Sequence, residues 1–96
     1  MEITIQSVNF ETSASVNEYI NKKLGKLARH ADIRTAEVQL KVLTTSDKDN
    51  KEIGIKLQVA DEQFYASKVA EVYEDAVSQC VDALERQILK SKEKKH

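Results

Sequence analysis

Proline and tryptophan are missing from this chain of 96 residues, and glycine occurs only twice. With no proline and no stretch of small flexible residues, nothing divides the chain, and its length suits one domain near the lower end of the usual range. Two glycines cannot build a glycine-rich phosphate loop. Three tyrosines and two phenylalanines are the only aromatic residues, so the core must be aliphatic. A single cysteine, Cys80, excludes an internal disulfide. It lies among Ala76, Val77, Val81 and Leu84 and reads as a small packing residue. No apolar run approaches the ~20 residues that span a bilayer. The start, Met1-Glu2-Ile3-Thr4, has neither the basic nor the apolar region of a signal peptide. With the lone cysteine, this points to a reducing cytoplasm and no membrane.

Catalytic and metal-binding patterns are also lacking. The two histidines, His30 and His96, are far apart in sequence, and no Cys/His pair has ligand spacing. No nucleophile motif is present. The chain reads as a binder rather than an enzyme, with no cofactor, no metal and no small-molecule substrate.

What the chain does have is sorted charge. The net charge is −1, yet Lys22, Lys23, Lys26, Arg29 and Arg34 stand against Asp32 alone, a local charge of +4 over 22–34. Arg86, Lys90, Lys92, Lys94 and Lys95 stand against Glu93, again +4 over 86–96. The remainder is acidic. Cations in the last turn of a helix complement its dipole, but that accounts for one or two per helix rather than five. Two dense clusters are the electrostatic footprint of a polyanion site.

Hydrophobic periodicity supplies the scaffold. Residues 2–8 alternate with Ile3 and Ile5 on one side, a half-buried strand. Thr12 or Ser13 can cap a following helix, and Ser15 with Glu18 has capping-box spacing. Val16, Tyr19, Ile20, Leu24 and Leu27 recur at helical spacing, so this helix is expected to run to about Arg29. Strands follow over 35–45 and 53–59, joined by a polar turn from Ser46 to Lys51. A short turn at Asp61-Glu62 leads to a strand over 63–69. Tyr73, Ala76, Val77, Cys80, Val81, Leu84 and Ile88 mark a second amphipathic helix ending near Leu89 or Lys90. The expected fold is an α+β, β-α-β-β-β-α two-layer sandwich: a four-stranded sheet with two helices packed on one face, like a double-stranded RNA-binding domain in its embedded α-β-β-β-α order. Residues 1–90 form the single domain and 91–96 a basic tail.

On this scaffold Lys22, Lys26 and Arg29 form one stripe, and Arg86, Lys90 and Lys94 a second if the helix continues. The chain resembles the short ribosome hibernation-promoting factors, a family that includes the ribosome-associated translation inhibitor. The parts that carry the likeness are the opening Met1-Glu2-Ile3-Thr4-Ile5, Lys23-Leu24-Gly25-Lys26-Leu27, Phe64-Tyr65-Ala66-Ser67, and Leu84-Glu85-Arg86-Gln87 followed by Lys90 and a lysine tail. The resemblance implies binding to the small ribosomal subunit, in the channel of mRNA and the A- and P-site tRNAs, with translation inhibited by steric exclusion. It implies that Lys23, Lys26, Arg86 and Lys90 contact ribosomal RNA, helped by Lys22, Arg29, Lys92, Lys94 and Lys95, in a monomeric protein. Three departures stand out: Asn17 replaces an Arg common in the family, Ala83 replaces a Lys, and Val72-Tyr73-Glu74-Asp75-Ala76-Val77 replaces an Asp-x-Tyr-x-Ala-Ile run. The first two predict weaker RNA contact at those positions. The chain also ends after its second helix, without the C-terminal domain by which long forms pair ribosomes.

Two other readings fit the same residues. A generic double-stranded RNA-binding domain would protect isolated duplexes without preferring ribosomal subunits. A protein-interaction module would hold its partner at high salt and lack RNA affinity.

Overall fold

Period-two alternation becomes four strands and the two apolar stripes become two helices in the computed structural model, which describes residues 1–8, 13–43 and 50–93. The elements are β1 (Glu2–Val8), α1 (Ala14–Leu27), β2 (Ile33–Val42), β3 (Lys51–Val59), β4 (Glu62–Ala70) and α2 (Tyr73–Glu93). Strand order in the sheet equals chain order, β1-β2-β3-β4. β1 and β2 are parallel, because α1 carries the chain back between them; β2/β3 and β3/β4 are antiparallel. The expected α+β sandwich is the observed one.

Both helices lie on the same sheet face. Ile20, Leu24 and Leu27 of α1 and Ala76, Val77, Cys80, Val81, Leu84 and Ile88 of α2 are buried against Ala36, Val38, Leu40, Ile53, Ile55 and Leu57. The core is wholly aliphatic apart from Cys80, and no polar or charged residue among those described is buried in it. Phe64, Tyr19 and Tyr73 pack only at its margin. Burial lifts the Cys80 thiol to about 11, partly opposed by Lys68. Its Sγ donates to the carbonyl oxygens of Ile53 (3.4 Å) and Ala66 (3.8 Å), bridging β3 and β4. No helix among the described residues is long and apolar enough to cross a membrane.

Local chemistry fixes the element ends. Ser13 caps α1: its Oγ accepts from the backbone N–H of Val16 at 3.2 Å. The Ser15–Glu18 spacing is not the cap, since both residues lie inside the helix; Thr12 lies outside the described residues. α1 stops at Leu27 rather than Arg29, where the His30 N–H bonds back to the Leu27 carbonyl at 2.9 Å in a tighter turn. α2 runs beyond Lys90 to Glu93, with Glu74 and Asp75 in its first turn and Lys90 and Lys92 in its last, as its dipole favours.

Several strand boundaries differ from the periodic reading. β2 begins at Ile33 because a bulge at Arg34 sets two residues of β2 against one step of β3, which turns both Ile33 and Ala36 inward. β3 begins at Lys51, and the Leu43 N–H extends the ladder to the Asn50 carbonyl at 2.8 Å. Backbone pairing carries on there through residues too polar to read as strand. The polar turn itself falls mostly on 44–49, outside the described residues. The β3–β4 turn is Ala60-Asp61, with Ala60 at φ 53° and its carbonyl accepting from Gln58 Nε2 at 2.8 Å.

Candidate nucleic-acid interface

Helical spacing places Lys22 and Lys26 on the side of α1 opposite its buried stripe, Arg29 lies in the turn just past its end, and all three are exposed. Arg86 and Lys90 are likewise exposed, one turn apart on α2. Two side-chain contacts relate the helices. Tyr19 Oη lies 2.7 Å from Ser78 Oγ, and His30 Nε2 lies 3.6 Å from Glu85 Oε1. From the first contact to the second, residue numbers rise on both sides, so the helices run in the same general direction. Their basic C-terminal halves therefore meet at one end of the helical layer.

Clusters some sixty residues apart in sequence thus become neighbours. The other half of α2 carries the opposite sign: Glu74, Asp75 and Asp82 are exposed there. A rigid helix polarised in this way sets a positive field at one end of the layer. That end offers ammonium and guanidinium donors of the kind that bind phosphate oxygens.

The expected contact residues occupy three kinds of position. Lys22, Lys26, Arg29, Arg86 and Lys90 make up the exposed surface. Lys23 is half-buried in the seam beside α2, with its Nζ 5.6 Å from the centroid of the Tyr19 ring. That cation–π contact is worth about 0.5–1 kcal/mol and holds the ammonium back from the outer stripe. Lys92 is exposed but lies about 200° round α2 from Lys90. Lys94 and Lys95 lie outside the described residues. Asn17 and Ala83, where the resemblance led one to expect cations, are both half-buried.

The sequence reading gave no role to the other side of the sheet. There Thr4, Gln6, Glu37, Gln39, Gly54, Lys56 and Tyr65 line an open depression of about 300 Å³. The available signal was Gly54 inside a strand, which often marks a close approach.

Known proteins resemble this chain over nearly all of its length. The family model described as Sigma 54 modulation protein / S30EA ribosomal protein matches residues 3–96. A ribosome hibernation promoting factor of Azotobacter vinelandii is 30% identical over 94 residues, covering 98% of this chain and 85% of that protein. Two solved structures share the fold. The N-terminal domain of Thermus thermophilus Protein Y gives a TM-score of 0.80 at 24% identity, over 92% of this chain and 96% of that one. A ribosomal subunit interface protein from Coxiella burnetii gives 0.83 at 19% identity, over 96% and 98%. At such identities these structures speak to the fold alone.

Proposed function

We infer a ribosome-directed function from one premise: the chain belongs to the Sigma 54 modulation protein / S30EA ribosomal protein family. The protein acts as a ribosome hibernation factor, as its relative's name indicates for that protein. It binds the small subunit in the mRNA and tRNA channel, over the A and P sites, and excludes both ligands sterically in stress or stationary phase. No bond is broken, and the work is done in the cytoplasm by a monomeric domain in which α2 carries the basic extension expected over 91–96 as far as Glu93.

The observation that supports this reading is the meeting of both basic helix halves at one end of the helical layer. Lys22, Lys26, Arg29, Arg86 and Lys90 bind ribosomal RNA phosphates directly. Lys92 adds charge from the last turn of α2, and Lys94 and Lys95 follow it in sequence as further cations. Lys23 joins them by leaving Tyr19, since a cation–π contact of about 0.5–1 kcal/mol is readily exchanged for a phosphate. Such contacts orient the protein on RNA without reading its sequence.

Co-sedimentation with purified small subunits, with mRNA and initiator tRNA as competitors, tests the proposal. Salt-sensitive binding that the competitors displace is expected. Binding that ignores both competitors would place the protein outside the channel. Equal affinity for isolated duplex RNA would favour a generic duplex binder.

A further inference from the structure

The sheet face turned away from the helices carries a second set of chemically matched groups. Strand register arranges them in rows: Thr4, Glu37, Lys56 and Tyr65 lie side by side, and so do Gln6, Gln39, Gly54 and Ser67. Tyr65 leans from its own row into the next. A Cβ at Gly54 would meet its Oη at 3.0 Å and its ring carbons at 3.7 and 3.8 Å. The ring therefore closes over the bare glycine backbone, and yet the side chain is 60% exposed. An aromatic residue held against a sheet in this way presents a stacking surface.

The surrounding groups favour one kind of occupant. The depression holds about 300 Å³, at the small end of ligand sites, and is open at the sides. Gln6 and Gln39 offer amide donors and acceptors, and the Glu37 carboxylate is a strong acceptor. Two ammonium groups, Lys56 and Lys41, stand on the rows either side of Gly54. An aromatic platform, edge-reading amides and flanking cations complement a flat base with phosphates before and after it.

We propose that this face binds an unpaired, amine-bearing base of single-stranded RNA, stacked on Tyr65. The Glu37 carboxylate accepts from the exocyclic amine, and Gln6 and Gln39 engage the rest of the base edge. Lys56 and Lys41 take the flanking phosphates. Cytosine fits because its N4 amine donates, whereas uracil sets a carbonyl against Glu37. An open-sided platform suits a passing strand better than a free nucleotide. The site is on the opposite layer from the basic helices, so either interface can fail without the other.

Oligocytidylate and oligouridylate titrated into the isolated protein, followed by amide NMR, provide the test. The expected result is a set of shifts at Thr4, Gln39, Gly54 and Tyr65, with oligocytidylate bound at least about fivefold more tightly. Tyr65→Leu still covers Gly54 but has no π face, and should weaken binding about tenfold with the fold intact. Tyr65→Phe should bind as the native chain does, and Glu37→Gln should erase the preference for cytosine. Shifts confined to the helices, or equal affinity of the native and Tyr65→Leu proteins, would overturn the proposal. Equally tight binding of cytidine monophosphate would replace the strand with a free nucleotide, and no shift at all would leave the face without an RNA role.

Discussion

Two residues hold conformations or protonation states that the folded chain imposes on them. Cys80 is fully buried, and its thiol stays neutral until about pH 11 in the folded protein, against 9.0 for the free group. Between those values the unfolded chain has lost a proton that the folded chain still holds. Stability should therefore fall as pH rises through this window and level off above it, by roughly 3 kcal/mol in all. Denaturant midpoints measured across the window should decline in the native protein. Cys80→Ala should be less stable at neutral pH but flatter, since lysine ionisation is common to both proteins. At Ala60 the strain is steric: φ is 53°, where a Cβ costs about 1–2 kcal/mol. Glycine removes that cost but adds chain entropy, so Ala60→Gly should gain about 0.5 kcal/mol in urea denaturation. Ala60→Val should lose at least about 1 kcal/mol, because a branched side chain tolerates that backbone least.

At the scale of elements, α2 separates buried core from exposed charge within a single turn. Leu84 is fully buried against the sheet, whereas Arg86, two residues on, is exposed. Leu84→Asp places a carboxylate among aliphatic side chains and should cost several kcal/mol, enough to lose the folded signal in circular dichroism. Arg86→Glu should fold normally and weaken only RNA binding. The helical stripes that predict this difference were legible in the sequence because a period of 3.6 shows directly in Val77, Val81, Leu84 and Ile88. The strands were less so. One extra residue at Arg34 breaks the count by two, so a pattern read backward from Ala36 would put a guanidinium in the core, and reading forward misses Ile33. The β3–β4 turn was displaced by one residue because alanine at positive φ leaves no glycine or asparagine to mark it. Parallel pairing of β1 with β2 rests on the crossover helix, which periodicity alone does not reveal.

Over the whole molecule, the electrostatic site depends on juxtaposition rather than on any one element. The spacing of Lys22, Lys26 and Arg29 predicted each stripe, but their meeting with Arg86 and Lys90 depends on the common direction of α1 and α2. That direction is set by packing and the seam contacts at Tyr19 and His30. The diversion of Lys23 toward Tyr19 is tertiary for the same reason: the ring is fixed by Ser78, fifty-nine residues away. Lys26→Glu combined with Lys90→Glu reverses one charge on each helix without touching the core, so thermal unfolding should stay close to that of the native protein. Small-subunit co-sedimentation should be lost, because each helix then carries a repelling carboxylate within the field it formerly shared. If about 4–8 phosphates are neutralised, log affinity of the native protein should fall against log salt with a slope of about −3 to −6. Neutralising Arg86 alone should reduce the steepness by about 0.7. A slope indifferent to Arg86 would mean that the basic end of the helical layer is merely solvated, however well its charges are gathered.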